Sequence, residues 1–114
     1  MCVRPGYVLA NVRFTSPERA QGYGRQVPAV IHQYGGRYLA RGGLTERMEG
    51  EWPVHYLTLV QFPSLDAAKQ WYASAEYQAI RTLRSEGAES QVVFFEGVDE
   101  WTDESAAPLA SDPT

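Results

Sequence analysis

Arg41 sits at the end of a short polar and aromatic run closed by two glycine pairs, Gly35-Gly36-Arg37-Tyr38-Leu39-Ala40-Arg41-Gly42-Gly43. A guanidinium beside residues without side chains has bare backbone for a neighbour. That setting suits a bound carboxylate, a partner's backbone or a structural ion pair. Gly35 and Gly36 close the preceding helix and turn the chain into a strand. Gly42 and Gly43 mark a bulge, a hairpin corner or close backbone approach. Strict alternation from Arg37 places Tyr38 and Ala40 on one sheet face and Arg37, Leu39 and Arg41 on the other.

Four further side-chain types could do chemistry. The chain holds 7 Tyr and 3 Trp, amphipathic rings that suit pocket walls and subunit contacts as well as packing. Tyr23 is a catalytic candidate because it lies on the helix stripe expected to face the sheet; Tyr38, Trp71 and Tyr77 are candidates for ligand contact. Asn11 is a catalytic candidate because it is a polar group on a strand whose two faces both read as packed, where it lines a cleft, joins a dimer contact or lies at a wet margin. His32 is one of two imidazoles, the side-chain type suited to proton transfer, yet it stands nine residues beyond Tyr23, about half a turn around the helix axis. It is retained as a candidate base if a kink at Pro28 re-aims it. Neither His32 nor His55 has a carboxylate at ligand spacing, so no metal site is expected. No Ser-His-Asp order, phosphate loop or nucleotide fingerprint is present.

The elements that must position these groups are set by periodicity. Residues 6–15 alternate, with Val8, Ala10, Val12 and Phe14 opposite Tyr7, Leu9, Asn11 and Arg13, which predicts a strand. Ser16-Pro17-Glu18 reads as a helix start, and Ala20, Tyr23, Val27, Ile31 and Tyr34 form one stripe. Pro28 interrupts that helix, which bends there either to wrap the sheet, the favoured reading, or to open a cavity. Leu44 to Gly50 is expected to continue as a strand or hairpin arm. Tyr56 to Phe62 is a strand stopped by Pro63. Ser64 and Ser74 cap two successive helices, with Leu65, Ala68 and Tyr72 as the first one's stripe and Trp71 beside it. Gln91 to Gly97 is the last strand. The order β-α-β-β-α-β predicts an α+β fold of the split βαβ type, a four-stranded antiparallel sheet with its helices on one face.

The 114 residues make one domain, with 44% apolar and 21% charged side chains. The net charge of −4 is concentrated in the acidic segment 99–114, which carries five Asp and Glu and no Lys or Arg; residues 1–98 are near neutral at +1. No field therefore draws the body to nucleic acid or an anionic membrane. The acidic segment reads as disordered, with Trp101 pinning its start. Cys2 is the single cysteine, so an intrachain disulfide and a cysteine metal cluster are not expected. No run reaches signal-peptide or membrane-span length, and the chain is expected to be cytoplasmic.

Several local patterns coincide: Tyr7-Val8-Leu9-Ala10-Asn11, Gln26-Val27-Pro28-Ala29, Tyr34 to Gly43, Glu49-Gly50-Glu51-Trp52-Pro53, Phe62-Pro63-Ser64, Trp71-Tyr72, Ser74-Ala75-Glu76-Tyr77-Gln78 and Glu96-Gly97. In order and spacing they resemble the domain of unknown function 1330 family, over residues 6–98. The resemblance implies a place in the dimeric α/β-barrel superfamily of ferredoxin-like folds, with two sheets packed face to face in a homodimer. It also marks two departures, Tyr56 where an Arg is usual and Gln61 where a Glu is usual, which imply a more neutral or aromatic ligand if those positions serve it. By motif, Arg41 and Glu49 form the better ionic pair.

Three functions compete. The first is a small cofactor-independent enzyme, monooxygenase-, isomerase- or cyclase-like, acting on an aromatic or polyketide-like molecule between helices and sheet. Asn11, Tyr23, His32 and Arg41 would supply its polar groups. The second is a non-catalytic dimeric module that holds a small carboxylate through Arg41. A haem enzyme with His32 or His55 as axial ligand is a third reading.

Overall fold

The alternating segments become strands because each has one face to bury. In the computed structural model, which describes residues 4–98, β1 is Gly6–Phe14, α1 Pro17–Gln33, β2 Arg37–Arg41, β3 Tyr56–Phe62, α2 Leu65–Ala73, α3 Ala75–Gly87 and β4 Ala88–Glu96. The strands form one antiparallel sheet in the order β2-β3-β1-β4, with long β1 at the centre beside β3 and β4. This is the ferredoxin-like α+β arrangement that the order of elements predicts. The readings of Cys2 and of the acidic segment 99–114, with Trp101, lie outside the described residues.

Cross-strand partners share a face. Val8 stands opposite Val60 and Phe94, and Val12 opposite Tyr56 and Ser90, on the side the helices cover. Tyr7, Leu9 and Asn11 stand opposite Gln61, Leu59 and Leu57 on the bare side. The core between sheet and helices holds Val8, Val27, Ile31, Val60, Phe62 and Trp71. Trp71, rather than Tyr72, is the buried centre of the α2 stripe, and it lies 5.3 Å from the Phe62 ring and 4.2 Å from that of Tyr77.

Both serine caps form as expected: Ser64 accepts from the Ala67 N–H and Ser74 from the Tyr77 N–H, each satisfying an otherwise orphan donor. Ser16 makes no such side-chain bond. Instead the Thr15 and Ser16 backbone N–H groups both donate to the Gly87 carbonyl, at 2.9 and 3.0 Å, so the start of α1 is clamped to the end of α3.

Two segments differ from the sequence reading. Residues 44–50 form no strand, and Leu44 and Met48 are almost wholly exposed. Without an alternating run to offer a sheet, this stretch becomes a connection. In β2 the pairing shifts between Tyr38, opposite Val60, and Ala40, opposite Leu59. This bulge at Leu39 reverses the parity of the residues after it, so Arg41 stands opposite Thr58 and shares the helix-covered face with Tyr38.

A β-carbon at Gly87 would lie 2.5 Å from the Ser16 carbonyl oxygen and 2.6 Å from the Ala20 nitrogen, both backbone atoms, whereas one at Gly43 would meet nothing. Gly87→Ala therefore lowers stability in urea unfolding by about 1–3 kcal/mol, and Gly43→Ala changes it by less than about 0.5 kcal/mol. Equal effects would contradict the close approach of α1 and α3.

Candidate functional site

Helix α1 packs chiefly on α3 and only lightly on the sheet. Where it stands off, a cavity of about 460 Å³ opens between them. Its floor is the covered sheet face at Val8, Ala10, Val12, Thr58 and Val60, and its roof is α1 at Ala20, Tyr23, Gly24 and Val27. Tyr38, Arg41 and Tyr56 close one side, Trp71 and Arg84 the other. The walls are mostly aliphatic and aromatic, with a few polar groups, which is the composition of a small-molecule site.

The polar groups are held by one another. The Tyr23 and Tyr77 hydroxyls lie 2.9 Å apart, and Arg84 Nη1 donates to the Tyr77 oxygen at 3.0 Å. Arg84 also lies over the Tyr23 ring at 5.7 Å. Either hydroxyl can donate to the other, and the Tyr77 oxygen has lone pairs enough to accept from Arg84 and Tyr23 together. Burial, then the neighbouring Tyr77, pushes the Tyr23 phenol far above its ordinary value of 10.0, against a smaller opposing pull from Arg84. Burial likewise raises Tyr77. It raises Tyr38 too, with Arg41 opposing. These phenols are protonated donors at neutral pH.

Pro28 decides the place of Arg41. In a helix the N–H of residue 28 would bond the carbonyl of residue 24, and proline has no N–H. The Gly24 carbonyl so released accepts from Arg41 Nη2 at 3.0 Å, and the guanidinium lies 4.7 Å from the centre of the Tyr38 ring. The helix itself runs unbroken through Pro28. Gly42, with φ of +65°, leaves room for the Tyr56 ring, which a β-carbon there would strike. At the far end Trp71 is 3% exposed, and its Nε1–H has no partner among the described residues.

Of the residues singled out from sequence, Tyr23, Arg41, Tyr38 and Trp71 line this cavity, and Tyr77 stands behind them as the partner of Tyr23. Asn11 does not. It is 6% exposed on the opposite face, donates to the Pro53 carbonyl at 2.8 Å and accepts from the His55 N–H at 3.0 Å. These two bonds pin the connection before β3 and give both ends of the buried amide a backbone partner. His32 is exposed and off the cavity, because the unbroken helix carries it around the axis. The Arg41–Glu49 pair does not form; among the described residues the ion pair is Arg13–Glu89 at 2.6 Å. Of the two departures, Tyr56 is a cavity residue, whereas Gln61 lies on the bare face, donating to Tyr7 Oη and accepting from Arg37. Sequence reasoning missed Arg84, Thr58 and Arg25 as lining residues; the clue for Arg84 was its seven-residue spacing from Tyr77, which puts both on one face of a helix.

Among the described residues no three His, Cys, Asp or Glu side chains gather as a metal site, and no helix is long and apolar enough to cross a membrane.

In the unfolded chain both phenols ionise near pH 10, whereas in the folded protein they keep their protons above it. Above pH 10 the unfolded state therefore binds fewer protons, so stability is fully present below that pH and falls as pH rises beyond it. Tyr23→Phe lowers the denaturant midpoint near neutral pH by the loss of one hydrogen bond, about 0.5–1.5 kcal/mol. It also shows a shallower alkaline decline. Parallel declines in variant and wild type would contradict the buried pair.

Similar folds are known. A protein of unknown function from Rhodopseudomonas palustris, RPA0582, superposes with a TM-score of 0.69 at 18% identity, over 85% of each chain. SnoaB, a cofactor-independent oxygenase from Streptomyces nogalater, does so with a TM-score of 0.61 at 14% identity, over 89% of this chain and all of that one, 100%. Rv0793 from Mycobacterium tuberculosis gives 0.53 at 20% identity, over 86% and 99%. These likenesses are of fold. No curated protein matches the sequence. A family model covers residues 5–98, nearly the whole described body, and on that match the chain belongs to the family described as Domain of unknown function (DUF1330).

Proposed function

We propose that this chain is a small enzyme that works without a bound cofactor on an aromatic or polyketide-like molecule seated between α1 and the sheet, by monooxygenase-, isomerase- or cyclase-type chemistry. The observation that carries this reading is the apolar cavity of about 460 Å³ with phenol and guanidinium donors around it. No Asp, Glu or His lines it, so the acidity has to come from the substrate. Tyr23 and Arg84 then stabilise negative charge on a substrate oxygen as it forms. An enolate held this way, its proton passed to solvent water, is nucleophilic at carbon. It takes up a proton at another carbon in isomerisation, an internal electrophile in cyclisation, or dioxygen in oxygenation, where the resulting peroxide loses water to leave a new carbonyl. The likeness of fold to SnoaB, described as a cofactor-independent oxygenase, supports the reading.

The absence of a carboxylate or imidazole from the lining also favours a second reading, a dimeric binding protein without catalysis. In both, the bare sheet face is the contact with a second copy. Leu9 and Leu59 are half-buried there, beside Val93 at 52% and Phe95 at 42% exposed, an apolar surface that water disfavours. Light scattering then gives a homodimer for the wild type and a monomer for Val93→Asp; a monomeric wild type would contradict the barrel.

The catalytic reading is tested with an enolisable tricyclic ketone, anthrone, incubated in air and followed by absorbance. Turnover is expected, at least about tenfold slower in Tyr23→Phe, the loss of about 1.4 kcal/mol of transition-state stabilisation. It is abolished in Ala10→Phe, which fills the floor of the cavity. Binding of the ketone without product supports the second reading, and turnover undiminished in Ala10→Phe would overturn the assignment of the site.

A further inference from the structure

Arg41 is solvent-exposed at the edge of the apolar cavity, where a guanidinium offers an entering anion charge-assisted hydrogen bonds. Three arginines, Arg25, Arg41 and Arg84, line this cavity, and no acid does. Arg84 is engaged with Tyr77 and lies over the Tyr23 ring. Arg41 is engaged only through Nη2, with the neutral Gly24 carbonyl. A guanidinium carries five N–H donors, so most of its capacity is unspent among the described residues.

Two irregularities of the chain converge on this one side chain. The bulge at Leu39 turns Arg41 onto the covered face; regular pairing would have turned it away. Pro28 frees the carbonyl that then receives it. A strand irregularity and a missing helical bond each cost stability, and neither is needed to build a four-stranded sheet. A guanidinium tethered at one nitrogen and laid on the Tyr38 ring has already lost much of its rotamer freedom, so a ligand that binds it loses less. Its planar fork matches a carboxylate through two parallel N–H···O bonds.

Resting on the cavity as the ligand site, we infer that the ligand is an aromatic or apolar carboxylate whose charged group sits at Arg41, and that the Gly24–Pro28 break holds Arg41 for it. The apolar body lies along Val12, Val60 and Val27. The inward Trp71, with its unpartnered Nε1–H, offers one donor to a polar substituent at the far end.

Isothermal titration calorimetry with 2-naphthoate and its neutral isostere 2-naphthamide tests this on the full chain. The wild type prefers naphthoate by about tenfold or more, as one charge-assisted contact gives. Arg41→Met keeps the aliphatic stem and erases the preference by weakening naphthoate alone. Pro28→Ala restores the helical N–H, so the Gly24 carbonyl returns to its own helix and Arg41 is released. That variant is at least as heat-stable as the wild type, yet its preference for naphthoate shrinks by about threefold or more. Equal binding of the two probes by the wild type, or a preference that survives Arg41→Met, overturns the carboxylate assignment and leaves the cavity standing. An unchanged preference in Pro28→Ala overturns the holding role of the break. Binding of neither probe overturns the cavity reading together with this one.

Discussion

The bonding between α1 and α3 is the constraint on which the rest of the molecule depends. The Tyr23 and Tyr77 hydroxyls meet at 2.9 Å, Arg84 donates to the second of them, and the Gly87 carbonyl receives the two N–H groups that open α1. Tied to its neighbour in this way, the helix does not settle onto the strands along its first half. Its later residues, Val27 and Ile31, do reach the core, where Phe62 and Trp71 fill the layer. The hollow therefore lies between this packing and the hydrogen-bonded Tyr23, Tyr77 and Arg84.

The two faces of the sheet carry different polarity. The covered face meets phenols and guanidiniums with no acid among them, surroundings that favour negative over positive charge. The bare face is apolar at its centre and polar at its margins, where Arg13 pairs with Glu89 and Gln61 links Tyr7 to Arg37. An apolar centre with a polar rim is the anatomy of an interface between subunits. On the proposed function, ligand and second copy take opposite faces of one sheet.

The fold was legible because periodicity and caps acted together. The alternation of Gly6–Phe14 and Tyr56–Phe62, the serines at 64 and 74 and the order of elements were all visible in the sequence, and each formed. The lining of the cavity was half legible. Tyr23 was found through its stripe. Arg41 was found as a cation among glycines, but the wrong face was assigned to it, because one inserted residue at Leu39 reverses a period of two and leaves no compositional mark. Asn11 looked functional because a polar group on a packed strand wants a partner. That partner came from the backbone of residues 53 and 55, more than 40 positions away, a contact no local pattern encodes. The role of Pro28 was half visible too: the missing bond is given by the residue type, and its recipient only by the tertiary structure.

The central claim concerns place: a ligand enters between α1 and the covered face of the sheet. Methyl-selective NMR of the protein with bound 2-naphthoate tests it most directly, through nuclear Overhauser contacts from the ring protons. The account predicts contacts to the methyls of Val8, Val12 and Val60, which line the hollow. Contacts instead to Leu9, Leu59 and Val93, on the bare face, would contradict it.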